Sequence, residues 1–112
     1  MATIINYDID QGTTFERLLE FSNADGSAMN LTGCILRGQL RENYDDPVAA
    51  AAFEFEVDNL SGTAIKRLTD TITAALAAGT YLYDIELQLV SGKVLRIIEG
   101  KIKLHPEVTK NE

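Results

Sequence analysis

The chain has 112 residues, enough for one domain with a core of its own and too few for two. Apolar residues make up 46% and charged residues 24%, as in ordinary globular domains. The net charge of −7, with Lys and Arg scattered along the chain, argues against binding a phosphate backbone or docking onto an anionic membrane.

The amino-terminal MATIINYDID carries neither the basic segment nor the apolar core of an export signal, and no apolar run is long enough to cross a bilayer as a helix. Thr3 to Tyr7 is a short β-type run, followed by a polar turn over residues 8–12. From Thr13 to Phe21 a strand is expected, with Phe15, Leu19 and Phe21 on one face and Glu16 and Glu20 on the other. Asn23-Ala24-Asp25-Gly26-Ser27 is a turn. Residues 34–41 form the next strand, with Cys34, Leu36, Gly38 and Leu40 on one face and Ile35, Arg37, Gln39 and Arg41 on the other. Cys34 is the sole cysteine, which rules out an internal disulfide and a cysteine zinc site; it reads as a small buried hydrophobe.

A loop from Glu42 to Pro47 comes next, and the alanines at 49–52 either prolong it or begin the following strand. Phe53, Phe55 and Val57 alternate with Glu54, Glu56 and Asp58, a strand pattern. Asn59 to Gly62 is a turn, and Thr63 to Leu68 a weakly patterned strand. Thr69 is placed to cap one or two helical turns, with Gly79 closing them. The spacing Gly79-Thr80-Tyr81 suits a tyrosine corner, in which the phenol bonds back to the crossing loop.

The most informative stretch is 79–104, where Tyr81, Tyr83, Ile85, Leu87 and Leu89 fall at strict period two. Taking Ser91-Gly92 as a two-residue turn sets Leu89 against Val94, Ile85 against Ile98, Tyr83 against Gly100 and Tyr81 against Ile102. One face is then apolar except for Arg96 opposite Leu87, and Gly100 leaves room for the Tyr83 ring. Such a ribbon needs a covering layer. Asp84 opposes Glu99, an unfavourable pairing that Arg37 and Arg41 would offset if strand 34–41 lies alongside 81–90. His105-Pro106 ends the last strand and residues 107–112 read as a flexible tail. The expected fold is all-β: an immunoglobulin-like antiparallel sandwich of about seven strands with one short helical turn near residues 69–78, in a single domain spanning 1–112.

Residue by residue the chain names no chemistry. Asp84, Glu86 and Glu99 could serve as an acid/base group, but read more simply as a solvated sheet face balanced by arginine. His105 has no nucleophile near it in sequence. Asp8 with Asp10, and Asn43 with Asp45 and Asp46, offer oxygen donors without the ligand series of a calcium loop; turn formation explains them. No enzyme activity, metal or cofactor is expected.

The segments TTFERLLEFSNADGSAMNLTG, ILRGQLRENYDDP, GTAIKRLTDTITAAL and AGTYLYDIELQLVSGKVLRIIEGKIKLHPEVT together cover nearly the whole chain. In this combination the sequence resembles a family of small proteins encoded by tailed bacteriophages beside tail and baseplate genes. It is also similar to the immunoglobulin-like amino-terminal domain of baseplate upper proteins. The resemblance implies a non-enzymatic virion component made in the host cytoplasm, an adaptor of the tail, baseplate or neck. Its partners would be other virion subunits, including copies of itself, with no nucleic acid and no membrane. A capsid cement or decoration protein is the nearest alternative, and a carbohydrate-binding or adhesion module a more distant one. For an adaptor, the candidate contact residues are Thr3, Ile4, Ile5 and Tyr7 on the first strand, and Tyr44, Asp45 and Asp46 in the charged loop. Tyr44 either meets a partner there or packs on its own domain.

Overall fold

The computed structural model describes residues 2–108. Nine strands form two facing sheets: β1 (Thr3–Ile4), β2 (Tyr7–Asp10), β3 (Phe15–Glu20), β4 (Ile35–Arg41), β5 (Ala51–Ala52), β6 (Glu54–Asp58), β7 (Thr63–Leu68), β8 (Gly79–Gln88) and β9 (Val94–His105). Among the described residues a single helix, α1 (Asp70–Ala75), lies between β7 and β8. The larger sheet runs β1-β9-β8-β4-β5, with β2 also on β9, and the smaller runs β3-β7-β6. Of the seven strands of four or more residues, six are those the sequence pattern anticipates; the seventh, β2, falls where a turn over residues 8–12 is expected. The sheet memberships follow those of an immunoglobulin-type sandwich, except that the first strands join the larger sheet.

The smaller sheet, β4, β5, β8 and β9 are antiparallel, whereas β1 and β2 run parallel to β9, Thr3 beside Ile98 and Asp10 beside His105. The amino-terminal edge therefore extends into the expected turn, as far as Asp10. Ile9 is buried in the core, and the chain reverses only after Gln11, whose amide donates to the His105 carbonyl. Between β1 and β2 the backbone crosses Gly100, where a β-carbon would collide with the Ile5 carbonyl. Gly100 makes room for this crossing rather than for the Tyr83 ring. The Tyr83 hydroxyl instead donates to the same Ile5 oxygen at 2.6 Å.

Strand β8 supplies the centre of the core, with Tyr81, Tyr83, Ile85 and Leu87 all buried. The lower half of the hairpin has the register read from sequence: Tyr81 meets Ile102, Tyr83 meets Gly100 and Ile85 meets Ile98. The upper half does not. Its loop has three residues, Val90-Ser91-Gly92, with the Leu89 amide bonded to the Lys93 carbonyl and Gly92 at φ 92°. The ladder therefore pairs Leu87 with Leu95 and Glu86 with Arg96, and a bulge at Ile97 restores the register below. The shift removes the single misfit of a two-residue turn, because Arg96 now points outward.

Ala51 and Ala52 pair with β4, the Phe53 amide bonds to the Gly38 carbonyl, and the chain then crosses to the smaller sheet as β6. Thr69 caps α1 through the Ile72 amide. Gly79 does not close the helix: Leu76 is already extended (φ −82°, ψ 140°) and buried, and Gly79 begins β8. The tyrosine corner forms, with the Tyr81 hydroxyl donating to the Ala77 carbonyl at 2.5 Å. Among the tail residues, the Glu107 amide bonds to Gln11, while residues 109–112 lie outside the described residues.

Candidate functional site

Strand alternation puts two rows of side chains across the middle of the larger sheet's outer face. Arg37 on β4, Glu86 on β8 and Arg96 on β9 form one row; Gln39, Asp84 and Glu99 form the next. Arg37 lies 3.6 Å from Glu86. Arg96 reaches into the neighbouring row, 3.3 Å from Asp84 and 3.6 Å from Glu99. The carboxylates are thus held by arginines, as the balanced-face reading expects, and β4 does neighbour β8. The sequence pattern assigns the balancing role to Arg37 and Arg41. In the structure Arg41 turns away, and Arg96 takes that role by way of the three-residue hairpin loop.

Arg41 instead anchors the loop after β4. Its Nε donates to the Asp46 carbonyl at 3.0 Å and its Nη1 to Gln39 at 2.7 Å. The Asn43 amide donates to the Asp46 carboxylate at 3.0 Å. This stapled loop holds Tyr44 with 85% of its surface exposed, so the tyrosine does not pack into its own domain. Tyr44 and Asp46 wall one side of a shallow depression of about 260 Å³, whose floor includes Leu82 and Asp84. A second depression of about 190 Å³ shares Gln39 and Asp84 with the first and continues toward Arg37.

The amino-terminal candidates lie elsewhere. β1 and β5 occupy opposite edges of the larger sheet, so the structure separates Thr3, Ile4, Ile5 and Tyr7 from the Tyr44 loop. Thr3 and Ile4 are exposed at the edge, Ile4 by 70%. Ile5 is half-buried, its amide bonded to the Glu99 carbonyl and its own carbonyl to Tyr83. Tyr7 turns inward and packs edge-on against Phe15 at 4.9 Å. Asp45 is exposed, and Asp46 half-buried.

The inner face holds a buried charged group that the strand pattern of 63–68 leaves unmarked. Lys66, at the middle of β7, has no exposed surface. Its Nζ donates to the Tyr7 hydroxyl at 2.7 Å and lies 4.6 Å from the Tyr7 ring centre and 5.8 Å from that of Tyr83. Burial, and then the nearby Arg17 charge, push its pKa down to about 8. Burial likewise raises the Tyr7 and Tyr83 phenols. The signal was present: Ala64 and Leu68, two residues to either side, both face inward, and an inward Lys66 follows from period two.

His105 Nε2 sits 2.9 Å from Asp8 on the outer face. Among the described residues no three His, Cys, Asp or Glu side chains gather as a metal site. No helix among the described residues is long and apolar enough to cross a membrane. No protein-family model matches the chain, and no curated protein is significantly similar to it.

Proposed function

We propose that the chain is a non-enzymatic structural module of a tailed-bacteriophage virion, an adaptor in the tail, baseplate or neck that binds neighbouring subunits. The family resemblance of the four sequence segments supports this reading, and so does the way the fold presents its edges. The carrying observation is the edge at β1: it bonds to β9 on one side, and its other side ends the sheet with Ile4 exposed. A free strand edge bearing an apolar side chain is a template on which a neighbouring chain adds a strand. Charge blunts the β6 edge far more, through Glu54, Glu56 and Asp58.

Mass spectrometry and cryo-EM of purified particles test the reading, with the expected result a fixed copy number at the tail, baseplate or neck. Absence from purified particles overturns it, and density on the capsid shell would make the chain a decoration protein instead. Ile4→Lys, at an exposed position where substitutions change stability by about 0.5 kcal/mol or less, should fold normally and lose incorporation.

A further inference from the structure

We propose that the depression beneath Tyr44 is a binding site for a neutral saccharide chain, a property separate from assembly through the β1 edge. Its floor brings two carboxylate acceptors together with the donors of an amide and a guanidinium. Across three adjacent strands Gln39, Asp84 and Glu99 stand side by side, and Arg96 reaches both carboxylates from the next row. Charge is nearly balanced there, so neither an anion nor a cation gains much. A hydroxyl gains from both signs at once, since it accepts from a guanidinium N–H while donating to a carboxylate oxygen.

The geometry leaves room for that insertion. Arg96 stands 3.3 and 3.6 Å from its two carboxylates, and its side chain is 54% exposed. Such loose surface pairs contribute little by themselves and open at small cost. The wall supplies the complementary apolar contact. Tyr44 is 85% exposed on a loop that Arg41 and Asn43 hold in place, so its ring is free to meet a sugar face and the loop beneath it needs no further ordering. A volume of about 260 Å³ suits a single ring, and the second depression beyond Gln39 and Asp84 accepts the next. Because the two depressions adjoin, a chain of two sugar units would span both.

The test is an amide chemical-shift titration of the full chain with a panel of neutral disaccharides (maltose, cellobiose, lactose and chitobiose) and, separately, a tri-arginine peptide. At least one disaccharide should shift Tyr44, Leu82, Asp84 and Arg96 together, with a dissociation constant around 1 mM. Tyr44→Ala, at a position the fold does not use, should weaken that binding about tenfold, and Asp84→Asn should weaken it as well. Three results overturn the proposal: no disaccharide moves these residues, the shifts survive both substitutions unchanged, or only the peptide moves them. The last would make the depression a contact surface for a basic protein segment. None of these results bears on whether the chain is found in the virion.

Discussion

Lys66 shows how one side chain sets the response of the whole domain to pH. An amine whose folded pKa is near 8, against 10.5 for the free side chain, binds fewer protons folded than unfolded between those values. Stability therefore rises with pH across that window, by on the order of 3 kcal/mol at most. The groups facing the amine are Arg17 on β3, Tyr7 on β2 and Tyr83 on β8. The two phenols act in the opposite sense. With folded pKa values above 10, they cost stability as pH passes 10, because the unfolded chain then ionises first. Denaturant unfolding at a series of pH values should give a maximum near pH 10. Lys66→Met should be more stable than the parent at pH 7, by about 1–3 kcal/mol, and should lose the rise above pH 8. An unchanged pH profile in that variant would show that the amine is not buried as described.

At the scale of elements, alternation made most strands legible, because a two-residue period with turns between leaves few choices. The apolar stripe of β8, the pairing of β4 with β8 and the tyrosine corner could all be read from single residues and their spacing. What could not be read depends on contacts between distant segments. Ser91-Gly92 looks like a complete turn until Arg96 must find the carboxylates on the outer face, and only the three-residue loop with its compensating bulge takes it there. Gly100 looks like space for the opposing ring until the first strand is laid beside β9. Gly100→Ala should therefore loosen that strand selectively. The expected loss is roughly 1–3 kcal/mol, with hydrogen exchange accelerating at the amides of Tyr7–Asp10 while β8 amides keep their protection. Uniform acceleration across both strands would argue against the close approach.

For the whole molecule, the two outer faces carry different charge. The smaller sheet turns Glu16, Glu20, Glu54, Glu56 and Asp58 outward against a single Arg67, which Glu16 holds at 2.7 Å. Much of the net charge of −7 is concentrated there. The repulsion among these carboxylates is screened by salt, and it destabilises the fold at low ionic strength. Glu56→Lys should raise the melting temperature by about 2–4 °C in low salt, and calorimetry should show the gain shrinking as salt is added. The sandwich itself was legible because seven alternating segments admit few other folds, whereas the candidate site was legible only in part. Tyr44 stands out in the sequence for its charged surroundings, but nothing along the chain brings its loop beside Asp84 and Arg96. The parallel seating of β2 against β9 has one more consequence. A pull applied to the two ends slides these strands lengthwise, so the rungs between Tyr7 and Ile102 and between Asp10 and His105 share the load and must yield together. An antiparallel terminal pair would unzip one rung at a time; this arrangement makes the domain a mechanical clamp.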